Sequence, residues 1–332
     1  MVGLRLVTFE APARAQGVHR TGALVDGGVL DLSRSWEALL ELRGEDAGSA
    51  GTTVPGDMVG FLEAGTPALE AAHELVALAG AGELPAAGGP PLVVVDDEFR
   101  LAAPLPRPNS LRDFMVVEEH VLNSLQEVPD EWFNLPVYYT GNVEEIYGPD
   151  DVVPWPAYTD KLDYELELCA VIGKAGRRIP VERAAEHIAG YTLYNDWSAR
   201  DIQLREMSVG IGPAMGKHFA SSIGPCIATD IDRDEIVLSA RVDGEEWSRG
   251  TIGEMHFSFE EIIAWVSQEQ TLYPGDLLGS GTMGGGCGLE LDRWIEPGSS
   301  VELSGTRIGV LANRVGEKGK GSRRATEPRR RI

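Results

Sequence analysis

Asp163-Tyr164-Glu165-Leu166-Glu167-Leu168, with Tyr194-Asn195-Asp196-Trp197-Ser198-Ala199-Arg200-Asp201 behind it, is the stretch on which the reading of this chain turns. In the first segment acidic and apolar residues alternate. Side chains of a strand point to opposite faces in turn. A strand here therefore aims Glu165 and Glu167 at one face, roughly 6.5–7 Å apart along the backbone, and turns Leu166 and Leu168 into a core. Two like charges side by side repel unless a cation lies between them. Carboxylate oxygens are the ligands that a hard cation such as Mg²⁺ prefers. The stretch is expected to build a metal site, with Asp196 as a third ligand.

Working outward, strand-like segments recur at 163–172, 189–195, 225–230, 236–242 and 300–304, joined by short turns such as Val242-Asp243-Gly244. Helices are expected among them at 181–187 and 257–268. That pattern predicts an α+β, mostly β fold, a β-roll or barrel rather than alternating βαβ units. Before it come a strand at 4–9, a hairpin over 22–32 turning at Asp26-Gly27-Gly28, and a strand at 92–95. Helical spacing covers 35–42 and 57–78, burying Met58, Phe61, Leu62, Leu69, Ala72 and Leu75. Residues 45–56 and 79–91 read as loose Gly/Ala/Pro-rich segments. Ala103-Pro104-Leu105-Pro106-Arg107-Pro108 is a stiff connector. It predicts a small N-terminal α+β domain over 1–103 and a larger domain over 104–315. The tail from Gly316 holds seven Lys/Arg against two Glu and is expected to be disordered.

The 332 residues suffice for one large domain or a large and a small one. The formal charge of −23, which becomes −28 for residues 1–315 once the tail's +5 is set aside, argues against nucleic acid as a partner. Cys169, Cys226 and Cys287 are far apart and form no CxxC, as fits a reducing cytoplasm. Cys287, among glycines with no base beside it, reads as structural. The N-terminus lacks the apolar core of a signal peptide, and no run of about 18 apolar residues predicts a membrane span. A cytoplasmic protein is expected.

Ser110–Asn123 has helical character in its second part. If Asp113 starts that helix, His120 lies two turns on near the same face, although both also read as ordinary surface helix residues. Residues 129–158 are rich in Pro, Trp and Tyr, and read as an irregular loop pinned by aromatic burial.

Four blocks in one order carry a family resemblance: Asp163-Tyr164-Glu165-Leu166-Glu167, Gly190 to Gln203, Gly216-Lys217, and Pro274-Gly275-Asp276-Leu277-Leu278-Gly279-Ser280-Gly281-Thr282. Over about residues 104–315 the chain resembles the fumarylacetoacetate hydrolase superfamily. The resemblance implies a mixed β-roll catalytic domain behind a smaller N-terminal domain, assembled as a homodimer. It implies a divalent cation, Mg²⁺ or alternatively Ca²⁺ or Mn²⁺, on Asp113, Glu165, Glu167 and Asp196. It implies His120 as the general base that activates water and Lys217 as the group that stabilises an oxyanion. Tyr139, Arg200, Gln203 and Thr282 match positions around the substrate.

The implied activity is hydrolysis of a C–C bond in a 1,3-diketone or acylpyruvate-like acid through an enolate held on the metal. Decarboxylation, hydration or isomerisation of a 2-oxo or dienoic acid is the alternative, and a non-catalytic binding protein is a lesser one. The last is motivated by a departure from the family. No acid stands in Met283-Gly284-Gly285-Gly286-Cys287-Gly288, and Asn123 occupies the place one turn past His120, so neither of the family's histidine-orienting glutamates is present at its usual position. Glu290 falls in an expected strand, with Glu118, Glu119 and Glu127 as other substitutes.

Overall fold

Every residue of the strand Leu166–Ile172 is buried, and its two faces serve different cores. Leu166, Leu168, Ala170 and Ile172 pack with Leu238, Ala240, Val301, Leu303 and Leu311. Cys169 and Val171 pack instead with Phe61, Leu62, Ala72 and Leu75. This is the period of two expected of a strand, and it puts Glu167 on the face of Cys169 and Val171. The computed structural model in which this is seen describes residues 3–10, 18–88, 90–125, 127–252 and 255–319.

Leu166–Ile172 lies inside a twelve-stranded sheet. It pairs antiparallel with Ile188–Asn195 on one side and with Asp276–Gly279 on the other. Ser221–Ala228 lies beyond the first neighbour and Ser110–Phe114 beyond the second, parallel to Asp276–Gly279. A second, five-stranded sheet, in the order Glu245–Thr251, Val237–Val242, Ser300–Gly305, Gly309–Lys318, Val152–Trp155, supplies the first core's other wall. The fold is α+β and mostly β, as expected. The N-terminal strands do not form a sheet of their own. Arg5–Glu10 pairs with Ser221–Ala228, Leu6 opposite Ile227, and the strands Arg20–Val25 and Gly28–Asp31 continue from it.

N-terminal helices cover the second core. Leu32–Arg43 starts at Asp31, whose side chain accepts from Arg34 N, and ends at Gly44 in the left-handed region. The helix expected over 57–78 is two helices, Met58–Ala64 and Thr66–Ala81, parted at Gly65 with φ 65°. Gly65 turns the chain out of the helical region, and Pro67 lies in the first turn of the new helix, where no N–H is needed. Leu69 is only half-buried, and Ala68 is buried in its stead.

Other expectations are corrected. Asp113 does not start a helix: it lies on the strand Ser110–Phe114, and the helix is Glu118–Leu125. Residues 45–56 contain short helical turns at Ala47–Ser49 and Ala50–Thr53. Residues 129–158 contain a 3-10 turn, Asp130–Phe133, and strands at Tyr138–Thr140, Ile146–Tyr147 and Val152–Trp155, because sheet edges offered them backbone partners. The helix Arg200–Met207 was not foreseen. The tail expected to be loose from Gly316 begins inside the strand Gly309–Lys318, held by parallel pairing that sets Lys318 opposite Trp155; residues 320–332 lie outside the described residues. No helix among the described residues is long and apolar enough to cross a membrane.

Leu168 is fully buried between the two sheets. Leu168→Ala is expected to cost about 2–5 kcal/mol, read as a lower urea midpoint at unchanged slope. A cost below about 1 kcal/mol would show that this contact does not carry the two-sheet core.

Candidate active site

Sheet register assembles the acidic cluster. Asp113 lies opposite Gly279, and Gly279 opposite Cys169, which places the ends of three strands side by side. Glu165 precedes the strand Leu166–Ile172, and Asp196 follows the strand Ile188–Asn195 paired with it. Asn195 holds this end together, its side-chain oxygen accepting from Glu165 N at 3.0 Å. A carboxylate oxygen from each of Asp113, Glu165, Glu167 and Asp196 lies within 4.8 Å of the others, and all four residues are buried. Gly279 makes the room: a Cβ there would stand 2.4 Å from Asp113 Oδ1. The two glutamates share a site as their spacing predicted, but Asp113 arrives from a strand 50 residues earlier in sequence, through pairing that no local pattern announces.

The four acids are not equivalent. Burial alone would raise Glu165, but Lys217 and Arg200 outweigh it and hold its carboxyl well below the usual range. Burial pushes Glu167 well up, and Asp113, Glu165 and Asp196 push it further. Asp113 is likewise raised by burial and by Asp196, and its Oδ1 is buried without a hydrogen-bond donor. Asp196 is raised by burial against the pull of Lys217. Its two oxygens accept from the Tyr139 hydroxyl at 2.6 Å and from Lys217 Nζ. Glu167 accepts from Gly281 N at 3.1 Å and Thr282 Oγ1 at 3.3 Å. The Lys217 ammonium is disfavoured by burial but held firmly charged by Asp196 and Glu165. It clamps two of the carboxylates together.

His120 lies on the helix Glu118–Leu125, and its Nδ1 is 2.7 Å from Glu290 Oε1. The acid that seemed missing is therefore present. Glu290 is not in a strand but in the one-turn helix Gly288–Leu291. Burial would raise its carboxyl, but the bond from His120 lowers it, helped by Asn123 and Gly285 N, which donate to Oε2 at 2.7 and 2.9 Å. Asn123, standing where the family places an acid, thus holds the acid instead. Asp163 seats this turn: it accepts from Gly288 N at 2.8 Å, Leu289 N at 3.0 Å and Arg200 Nε at 2.8 Å. The one signal available in the sequence was that Glu290 is the first acid after Thr282. Cys287 is buried, which pushes its thiol well up, and its S–H lies 3.4 Å from Glu290 Oε1.

His120, Lys217, Tyr139, Arg200, Gln203, Thr282, Asp113, Glu165 and Glu167 all line one cavity of about 210 Å³; Asp196 sits behind it, bonded to Tyr139 and Lys217. Arg200 donates to Asp163, to Gln203 Oε1 at 3.0 Å and to Glu165 at 2.8 Å, which leaves its Nη2 buried without a partner. The structure thus gathers every residue singled out from the sequence. Met207, Leu204 and Leu125 also line the cavity, and all three are exposed.

Residues 111–316 match the family described as Fumarylacetoacetate (FAA) hydrolase C-terminal. The mitochondrial oxaloacetate tautomerase FAHD2A of Homo sapiens is 32% identical over 322 residues, covering 94% of this chain and 91% of that protein. Oxaloacetate tautomerase YisK of Bacillus subtilis (strain 168) is 29% identical over 304 residues, 88% of this chain and 94% of that one. Among solved structures, the 5-carboxymethyl-2-hydroxymuconate delta-isomerase of Mycobacterium smegmatis is 31% identical with a TM-score of 0.57, covering 68% of this chain and 83% of that one.

Buried like charges give a diagnostic pairing of effects. Asp113→Asn is expected to weaken binding of Mn²⁺ at least tenfold by calorimetry, while stabilising the metal-free protein by about 1–2 kcal/mol through relief of repulsion. A variant that binds Mn²⁺ as tightly as the parent would remove Asp113 from the ligand set.

Proposed function

The chain belongs to the fumarylacetoacetate hydrolase family, and on that premise we propose that it is a divalent-metal-dependent isomerase that interconverts the keto and enol forms of a 2-oxo acid. The observation that carries this reading is the buried His120–Glu290 pair beside four carboxylates in one cavity. The relatives named as oxaloacetate tautomerases, aligned over nearly the whole chain, support the choice of reaction.

Asp113, Glu165, Glu167 and Asp196 are proposed to hold Mg²⁺, with Ca²⁺ or Mn²⁺ as alternatives. The donor set fits such a hard cation: four buried oxygen ligands, one of them an orphaned Asp113 Oδ1, with too few side-chain cations to neutralise them. When bound, a cation of this kind supplies a Lewis acid for the substrate's ketone.

The remaining chemistry belongs to side chains. A carboxylate only accepts, so Glu290 keeps the proton of His120 on Nδ1 and leaves the Nε2 lone pair as the base. His120 takes a proton from the carbon next to the ketone and returns it to the oxygen, and Glu290 stabilises the imidazolium between these steps. Lys217 keeps a positive charge beside the oxygen that becomes negative. Arg200, Gln203, Thr282 and Tyr139 are proposed to bind and orient the acid. One proton-carrying side chain suffices for this exchange.

The same histidine can take its proton from water, so cleavage of a C–C bond in an acylpyruvate-like acid is the second reading. The non-catalytic reading rested on a missing orienting acid, and Glu290 removes that ground. For the rest of the molecule we propose an N-terminal unit over residues 1–103, a homodimer, and a cytoplasmic location suited to three free, buried cysteines.

Decay of the oxaloacetate enol absorbance should accelerate in the presence of protein and Mg²⁺ and return to the protein-free rate with EDTA. Formation of pyruvate and CO₂ instead would assign decarboxylation, and paired acids from an acylpyruvate would assign hydrolysis. His120→Ala should keep Mn²⁺ binding and lose about 10²–10⁴ in kcat. An unchanged kcat would remove His120 from the chemistry.

A further inference from the structure

The cavity changes character between floor and mouth. Of its lining residues, Asp113, Glu165, Glu167, His120, Arg200 and Lys217 are buried, whereas Leu125, Val137, Leu204 and Met207 are exposed, which puts this apolar group at the opening. These mouth residues are not core residues that happen to border a gap. Leu204 is 52% exposed, Val137 45%, Leu125 39% and Met207 37%. Single exposed apolar residues are ordinary; a ring of them around one polar site is not. The ring is also built firmly. Leu204 and Met207 sit on the helix Arg200–Met207, and Glu206 of that helix accepts from Ala214 N, Met215 N and Gly216 N at 2.8–3.0 Å, tying down the segment that carries Pro213.

Charge points the same way. Among the described residues lining the cavity, the permanent cations are Arg200 and Lys217, both on the floor and both already paired, with Asp163 and Glu165 and with Glu165 and Asp196. Two donor groups of the lining, Arg200 Nη2 and the Ser124 hydroxyl, are buried without a partner, and only the first carries a positive charge. That charge can serve one substrate carboxylate. A second carboxylate, further out, would meet leucine, valine and methionine in a protein of net charge −23, and would lose its hydration with no cation to replace it.

We infer that the substrate is a 2-oxo acid with a single carboxylate whose group beyond the enolisable carbon is apolar, alkyl or aryl, and that Leu125, Val137, Leu204 and Met207 select it. This rests on the keto–enol reading above and narrows it to an apolar substrate. Each buried methylene is worth about three- to fourfold in kcat/KM.

The test is exchange of the hydrogens beside the ketone for deuterium, followed by NMR with protein and Mg²⁺, each rate divided by the rate with Mg²⁺ alone. Oxaloacetate is compared with 4-methyl-2-oxopentanoate, whose isopropyl group replaces the second carboxylate at similar size, and with phenylpyruvate. The apolar acids are expected to show at least tenfold higher kcat/KM than oxaloacetate, and Met207→Lys, on an exposed side chain, to narrow or reverse that ratio. Equal or higher kcat/KM for oxaloacetate in the unaltered protein overturns the inference and leaves the isomerase reading standing. Calorimetric binding of the same three acids separates the opposite case. Tighter binding of the apolar acids without any exchange keeps the inference and sinks the isomerase reading.

Discussion

Four carboxylates share one buried site, and Lys217, Arg200, Tyr139, Gly281 and Thr282 are arranged around their repulsion. At an effective dielectric of about 20, two unit charges near 5 Å apart repel by roughly 3–4 kcal/mol, and the cluster contains several such pairs. Lys217 and Arg200 relieve part of it, chiefly at Glu165, which is why that carboxyl alone is pulled below the ordinary range while Glu167 and Asp113 are driven up. A site whose acids cannot all be charged and unpaired at once is poised for a small, hard cation. The same imbalance explains why backbone N–H groups and hydroxyls from Gly281, Thr282 and Tyr139 converge on it.

A second constraint ties this cluster to the His120–Glu290 pair. Asp163 bridges Arg200, which touches Glu165, to the first turn of the helix that carries Glu290. Glu290 then fixes one nitrogen of His120. The chain of contacts runs from carboxylate cluster to imidazole through protein groups, so the imidazole and the cluster keep one geometry. Gly279 and the left-handed Gly281 belong to the same economy of space. A Cβ at the first would strike Asp113, and at the second would stand 2.2 Å from Phe114 O.

Much of this was legible in the order of residues. The alternation at Glu165-Leu166-Glu167-Leu168 requires a strand with one acidic and one apolar face, and the structure has that strand with Leu166 and Leu168 in the core between the sheets. Where the reading failed, a distant partner had overruled local pattern. Asp113 looked like a helix start because Val116 to Asn123 is helical in character, yet strand pairing with Asp276–Gly279 claims Ser110–Phe114. Residues 129–158 looked irregular because Pro and aromatic residues hide short strands whose backbone partners lie elsewhere in the chain.

The sequence by itself determined that Glu165 and Glu167 share one face of a strand and that the fold is mostly β, because both follow from short-range periodicity. Only the tertiary structure decided how the histidine is oriented, since Glu290 is 170 residues from His120 and its turn is set by hydrogen bonds from Gly288 and Leu289 to Asp163. It alone also decided the apolar mouth. Leu125, Val137 and Met207 have no common spacing in sequence, and they form one surface only because three separate segments meet over the same cavity.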